Sequence, residues 1–157
     1  MSVNYTELHL NLAGLLMDER DPWANLANAS ALLWQGLPGL NWVGFYLWRD
    51  WQLIVGPFQG KPACVRIGLG QGVCGMAAAR RETVIVDDVH AFAGHIACDA
   101  DSNSEIVVPL LMDTRLLGVL DLDSPSHGHF GPADAVGLEE FVSQLVAGCD
   151  WDKLTSD

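Results

Sequence analysis

The chain has 157 residues, half of which are apolar, and its 8 basic and 20 acidic side chains give a formal net charge of −12. A chain of this length is expected to form a single domain, covering residues 1–157, around one hydrophobic core. Its negative charge repels phosphate backbones and anionic lipid, which argues against nucleic-acid and membrane partners and favours a cationic or zwitterionic ligand. The N-terminal residues lack the features of a secretion signal, and no apolar run approaches the roughly 20 residues of a membrane-spanning helix, so we expect a cytoplasmic protein.

Apolar residues recur at helical spacing twice before residue 35, and Asp21-Pro22 between the two runs has the sequence of a helix N-terminus, so two opening helices are predicted. The elements predicted next are strands over 43–47, 51–55 and 63–67, a helix over 73–81, strands over 83–86, 106–111 and 116–122, and a last helix from Pro132. This order predicts an α+β domain in which a central antiparallel sheet of about six strands is flanked by N- and C-terminal helices.

Three cysteines, Cys64, Cys74 and Cys98, lie in glycine-rich or small-residue surroundings. Their spacing does not match a zinc pattern of closely spaced ligands, and structural disulfides are uncommon inside cells. The remaining interpretations are a nucleophile, a resolving thiol or inert core residues. The fourth cysteine, Cys149, continues the apolar stripe of the last predicted helix and is expected to be a buried structural residue.

Residues 87–104 show no periodic pattern and are too long for a simple connection, so they are predicted to form a functional loop, with Cys98 inside it. His90, His95 and Cys98 include an H-x2-C pair that is able to bind a metal. No second pair at a matching spacing exists, and a catalytic zinc usually takes three protein ligands. We therefore expect no metal.

Two polar and aromatic patterns suggest a pocket. Asp121 and Asp123 share one face of a predicted strand, where two close carboxylates do not both ionise cheaply, so one of them is a candidate proton donor. On the pattern alone, a solvated strand end is the simpler interpretation. Trp42 and Tyr46 share one face with Gly44 between them, which predicts a gap beside two rings; core packing is the alternative.

The chain resembles the free methionine-(R)-sulfoxide reductases, which are GAF-domain enzymes. The residues that carry the resemblance are NWVGFYL (41–47), GPFQGKPACVRI (56–67), GVCG (72–75), DVHAFAGHIACDADSNSEIVVP (88–109) and LLGVLDLDSP (116–125). It implies thiol-dependent reduction of free L-methionine-(R)-sulfoxide to L-methionine, through a cysteine sulfenic acid and an intramolecular disulfide. Small departures at Gly68-Leu69, Gln71 and Met76 affect loop stiffness rather than chemistry.

The resemblance also implies residue roles. Among the cysteines, Cys98 is similar to the family's nucleophile, Cys64 to its principal resolving cysteine and Cys74 to its third redox cysteine. The residues implied to contact the methyl-sulfoxide end of the substrate are Trp42 and Tyr46. The residues implied to hold its ammonium and polarise its oxygen are Glu105, Asp121 and Asp123, with Glu105 or Asp123 supplying the proton.

This chemistry suits the residue types. A thiolate that attacks a sulfoxide sulfur needs a proton donor for the oxygen, and a second thiol then condenses with the sulfenic acid. No bound cofactor is required, and the expected partners are free methionine sulfoxide and an external dithiol such as thioredoxin; a homodimer is left open. A buried carboxylate without its cation is costly, so the acids would reject peptide-bound methionine sulfoxide. The alternatives are a non-catalytic GAF sensor of small molecules or redox state, and a metal-binding module.

Overall fold

The computed structural model describes residues 3–95 and 98–154. Its helices and strands are, in chain order, α1 (Tyr5–Leu16), α2 (Pro22–Gly36), β1 (Trp42–Arg49), β2 (Gln52–Gly60), β3 (Arg66–Gly68), α3 (Gly72–Arg80), β4 (Val84–Val86), β5 (Ser104–Met112), β6 (Arg115–Ser124) and α4 (Pro132–Ala147), with 3-10 turns at Val89–Ala91 and Trp151–Lys153. The predicted start of α2 is confirmed, because the Asp21 side chain accepts a hydrogen bond from the Ala24 N–H at 3.1 Å and Pro22 follows it. Within the described ranges, every helix is too short or too polar to cross a bilayer.

The six strands form one sheet in the order β3-β2-β1-β6-β5-β4. All five neighbouring pairs are antiparallel. The β5–β6 pair is a hairpin closed at Asp113-Thr114, and the β1–β2 pair turns at Asp50-Trp51. The prediction of an α+β domain with a central antiparallel sheet and terminal helices is therefore confirmed.

Side-chain alternation divides the sheet into two faces with different neighbours. One face packs against α1, α2 and α4 and forms the larger core, which includes Phe45, Leu120 and Leu122. The opposite face packs against α3 and carries Tyr46 and Val119, among others. On β6, Leu120 and Leu122 therefore lie on one face and Val119 on the other, as the alternation of a strand requires. The functional candidates lie on this second face.

Two segments differ from the prediction. The predicted strand over 63–67 is wrong in its extent, because β3 covers only Arg66–Gly68 and Cys64 belongs to the connection between β2 and β3. Pro62 has no N–H to donate to a strand ladder, which is consistent with the late start of β3. The segment predicted as a loop over 87–104 contains the 3-10 turn at 89–91, and its last residue, Ser104, begins β5. Residues 96 and 97 of this segment lie outside the described residues.

Cys149 lies two residues beyond the end of α4 rather than on the helix itself, because the helix stops at Ala147 and Gly148 caps it. The prediction that Cys149 is buried is confirmed, with 5% of the residue exposed. Its sulfur accepts a hydrogen bond from Asn25 Nδ2 at 3.5 Å. The residue therefore belongs to the core under α2 and stands apart from the other three cysteines.

Candidate functional site

A cavity of about 60 Å³ lies on the second face of the sheet. Its walls come from β1, β5 and β6, from the first turn of α3, and from the connections that carry Cys64 and Cys98. Of the eight residues predicted for the site, seven line the cavity: Trp42, Tyr46, Cys74, Cys98, Glu105, Asp121 and Asp123. The eighth, Cys64, is bonded to Cys98. The fold therefore brings together residues that are spread over more than half of the chain.

Cys64 and Cys98 form a disulfide with a Cα–Cα distance of 5.6 Å. Their separation of 34 residues means that the bond joins the β2–β3 connection to the loop before β5. Cys98 is exposed and Cys64 is partly buried, so the bond lies at the rim of the cavity where a thiol from solvent is able to reach it. Cys74 is free and buried in the wall.

The two aromatic residues predicted for the substrate also hold the connection that carries Cys64. The Tyr46 hydroxyl donates a hydrogen bond to the Cys64 carbonyl at 2.9 Å. The Trp42 Nε1–H donates to the Lys61 carbonyl at 3.1 Å. Both rings are almost fully buried, so these bonds fix the backbone on either side of Pro62. Sequence reasoning missed this positioning role, because nothing in the pattern connects a polar ring atom to a backbone carbonyl 18 or 19 residues away.

The connection that carries Cys98 is anchored by polar side chains that sequence reasoning also missed. Asn41 Nδ2 donates to Ser102 Oγ at 3.1 Å, and the Asn41 backbone N–H donates to the Asp123 carbonyl at 3.0 Å. Asn41 therefore ties this loop to the end of β6 that carries the Asp123 carboxyl group. The one sequence feature that pointed to Asn41 was its position as the first residue of the NWVGFYL run.

The solvated interpretation of the acid pair is wrong. In the sheet register Glu105 on β5 lies directly opposite Asp123 on β6, and Val107 lies opposite Asp121, so the three carboxyl groups share one small patch. Asp121 is 5% exposed and Glu105 is 7% exposed, while Asp123 is partly buried. The strand end is covered by α3 and the two cysteine-bearing connections, which the alternation pattern did not reveal.

Burial is the main reason that the acids are difficult to ionise. It raises the pKa of Glu105 well above its ordinary value, and the charges of Asp121 and Asp123 add to the effect. The pKa of Asp123 is also well above its ordinary value, through burial and then the charge of Asp121. Burial raises the pKa of Asp121 too, but hydrogen bonds from Glu105 and Cys74 favour its charged form and oppose the rise. Burial thus disfavours the charged form of all three groups, and the rise in pKa is smaller for Asp121 than for Glu105 and Asp123.

The Cys74 thiol belongs to this polar patch. Its sulfur lies 3.9 Å from Glu105 Oε2, which accepts a weak hydrogen bond from it. Burial raises the pKa of the Cys74 thiol well above its ordinary value, and the charges of Asp121 and Glu105 contribute. Because the thiolate is the nucleophilic form, the raised pKa makes Cys74 less reactive than an exposed cysteine for as long as it stays buried.

The predicted gap beside Gly44 is not open. A Cβ atom on Gly44 would overlap the Cβ of Phe58, which occupies that space. The Phe58 ring stacks on Trp42 with a centroid distance of 5.2 Å, and Trp42 stacks on Tyr46 at 5.8 Å. The glycine therefore permits a third ring to approach, and the result is a continuous aromatic wall rather than a hole.

The family model of the GAF domain matches residues 22–148. Free methionine-R-sulfoxide reductase of Escherichia coli (strain K12) is 52% identical over 152 residues, which cover 95% of this chain and 92% of that protein. The chain belongs to the free methionine-R-sulfoxide reductase family. The fRMsr of Staphylococcus aureus in its reduced form has a TM-score of 0.92 and 50% identity, with 95% of this chain and 97% of that chain covered. Free methionine-R-sulfoxide reductase from Neisseria meningitidis, solved in complex with its substrate, has a TM-score of 0.91 and 44% identity, with coverage of 97% and 92%.

His90, His95 and Cys98 do not form a ligand set in this structure. The Cys98 sulfur is bonded to Cys64, and His90 Nε2 lies 3.0 Å from Asn103 Oδ1. The rings of His90 and His95 meet edge to face, with their centroids 6.0 Å apart. Burial lowers the pKa of His95, and the charge of His90 adds to this effect. The group in the described ranges that brings three potential ligand atoms together is instead Cys74, Glu105 and Asp121.

Proposed function

We propose that this member of the family reduces free L-methionine-(R)-sulfoxide to L-methionine, with electrons taken from an external dithiol. The observation that carries the proposal is the Cys64–Cys98 disulfide at the rim of a cavity lined by three buried or partly buried carboxyl groups. A nucleophilic thiol, a resolving thiol and a proton donor are the groups that sulfoxide reduction requires. Relatives about 50% identical that carry this name support the substrate assignment.

The charge of the patch explains recognition of a free amino acid. Asp121 Oδ1 is buried and has no hydrogen-bond partner among the described residues, so it is available for the substrate ammonium. The same carboxylate without a cation is costly, which disfavours a residue inside a polypeptide because it lacks the ammonium. The rings of Trp42 and Tyr46 provide an apolar wall for the methyl-sulfoxide end.

The chemical steps balance with the groups at hand. The Cys98 thiolate attacks the sulfoxide sulfur while Glu105 or Asp123 protonates the oxygen, which transfers to Cys98 as a sulfenic acid and leaves methionine. The Cys64 thiol then attacks the sulfenic sulfur, and water leaves as the disulfide forms. An external dithiol reduces that disulfide by exchange and is itself oxidised. The structure with the Cys64–Cys98 disulfide corresponds to the state after methionine has formed and before the external dithiol acts.

The small size of the cavity supports an order in which the disulfide is reduced before the substrate binds. Ligand pockets usually measure about 300–1,000 Å³, and the cavity of the disulfide form is about 60 Å³. Opening of the Cys64–Cys98 bond would free both connections to move apart. The exposure of Cys98 favours direct attack by a thioredoxin-like protein, and such a reductant implies a cytoplasmic location. We assign Cys74 as the third redox cysteine, which reacts with the sulfenic acid more slowly than Cys64 because it is buried. The homodimer stays a prediction.

The test is methionine formation by the reduced protein with dithiothreitol as the dithiol. Free methionine-(R)-sulfoxide should be converted, whereas the free (S) epimer and a peptide with an internal methionine sulfoxide should not. A GAF sensor would bind the free sulfoxide without producing methionine, and a simple redox switch would oxidise without consuming it. Either result would refute the proposed reductase activity.

A further inference from the structure

The polar end of the cavity has the composition of a metal site. Cys74 Sγ and one carboxylate oxygen each from Glu105 and Asp121 all lie within 4.8 Å of one another. All three residues are buried, and they come from α3, β5 and β6, so secondary structure rather than a loop fixes their positions. One sulfur and two oxygen ligands suit a cation that accepts both donor types, and Zn²⁺ is the common biological example.

The distance between Cys74 Sγ and Glu105 Oε2 is close to the value expected when both atoms bind one ion. With the usual Zn–S and Zn–O bond lengths, sulfur and oxygen ligands of a tetrahedral zinc lie about 3.5 Å apart. Cys74 Sγ and Glu105 Oε2 are already 3.9 Å apart. A contraction of a few tenths of an ångström, within reach of a side-chain rotation, therefore completes this edge of the tetrahedron. The adjoining cavity of about 60 Å³ leaves room for water as the fourth ligand.

A second observation, at Asp121, also points to a cation as the ligand. Asp121 is 5% exposed, and its Oδ1 atom has no hydrogen-bond partner among the described residues although it lines the cavity. A buried carboxylate oxygen without a donor is costly, and a cation in the cavity removes that cost. The cavity therefore offers an unsatisfied acceptor at the point where the other two ligand atoms converge.

We propose that Cys74, Glu105 and Asp121 bind one thiophilic divalent cation, Zn²⁺ by its chemistry, inside the cavity of the disulfide form. Binding displaces the protons of the Cys74 thiol and the Glu105 carboxyl group to solvent, so the ligands are one thiolate and two carboxylates. The ion would occupy the position assigned above to the substrate ammonium and would thereby hold the protein in an inhibited state. That last consequence rests on the proposed function, whereas the binding itself does not.

The experiment uses the full chain with the Cys64–Cys98 bond intact and no added thiol, so Cys74 and Cys149 are the free thiols. Titration with Co²⁺, followed by absorption, should give one equivalent bound with a sulfur-to-cobalt charge-transfer band, and Zn²⁺ should displace the Co²⁺ with the same stoichiometry. Cys74→Ser should abolish the band and weaken Zn²⁺ binding by at least about 100-fold. Cys149→Ser, the matched control outside the cavity, should change neither.

A further variant guards against a folding defect in Cys74→Ser. Asp121→Asn should weaken Zn²⁺ binding by about 10-fold or more while the Co²⁺ band persists, because the thiolate remains. Three outcomes would each overturn the proposal. They are Co²⁺ binding without a charge-transfer band, unchanged metal binding in Cys74→Ser, and loss of metal binding in His95→Asn. None of these readouts requires turnover, so failure here leaves the reductase proposal intact, and failure of the reductase assay leaves this site intact.

Discussion

Asp123→Asn is expected to slow the chemical step by about 10²-fold or more. Glu105 and Asp123 lie opposite each other in the β5–β6 register, where Cβ atoms are about 5 Å apart. Two charges at that distance repel by about 3 kcal/mol at an effective dielectric constant of about 20. Burial disfavours both charges as well, so the pair gives up its last proton only at a pH above the ordinary range of a carboxyl group. The amide removes one acid, and the loss of the Asp123 charge lowers the pKa of Glu105, so less of Glu105 is protonated at a given pH.

The measurement is single-turnover formation of methionine by reduced protein across pH. Because burial and neighbouring charges raise the pKa of Glu105 and Asp123, the wild-type pair holds its proton to higher pH than an ordinary carboxyl group, and its contribution is lost as pH rises through that raised pKa. In Asp123→Asn this fall should occur at lower pH, because the repulsion that raises the pKa of Glu105 is smaller. Asp121→Asn should mainly raise KM for the sulfoxide, since it removes the charge assigned to the ammonium.

Asp113→Asn is the matched control for the same acid-to-amide change. Asp113 is exposed at the β5–β6 turn, at the far end of these strands, and its φ of 55° is one that asparagine also tolerates. Its rate and pH profile should equal those of the wild type. If Asp123→Asn also reacted at the wild-type rate with an unchanged pH profile, the proton would come from another group and the acid assignment would be wrong.

Three further outcomes are expected. Cys98→Ser should abolish methionine formation while the far-ultraviolet circular dichroism stays unchanged, and near wild-type activity would show that another thiol is the nucleophile. Mass-spectrometric mapping after one equivalent of sulfoxide should find Cys98 linked mainly to Cys64, in keeping with the 5.6 Å Cα–Cα distance; a link through Cys149 would contradict its burial in the other core. Gly44→Ala should lower the free energy of unfolding by about 1–3 kcal/mol in urea melts, because its methyl group would overlap the Cβ and backbone of Phe58. An unchanged midpoint would mean that the β2 backbone shifts at little cost to admit the methyl group.

The sheet was predictable because its side chains alternate between two environments. Val119 and Asp121 face α3 while Leu120 and Leu122 face the terminal helices, and this period of two is visible in the sequence. The start of α2 was predictable for a similarly local reason, the Asp21-Pro22 cap. Each of these features depends on neighbouring residues, which is why the pattern alone was sufficient.

The features that escaped prediction depend on contacts between distant segments. Alternation placed Asp121 on the correct face but gave no information about what covers that face, so its burial by α3 was missed. The gap at Gly44 was predicted from β1 alone, whereas Phe58 on β2 fills it. The individual roles of Cys64 and Cys98 came from the family resemblance, because spacing along the chain does not tell which two cysteines meet.

The acid patch reverses the usual relation between burial and stability. A carboxyl group whose pKa is raised in the folded state binds its proton more tightly there than in the unfolded chain, so its contribution to folding is present at low pH and is lost as pH rises through the raised pKa. Glu105 and Asp123 therefore make the fold less stable at neutral pH than apolar residues at these positions would. Such a cost is characteristic of positions that hold a reactive or binding group, and a cation beside Asp121 would offset part of it. Without a cation the patch is destabilised, and the substrate ammonium and a divalent metal are the two cations proposed to bind there.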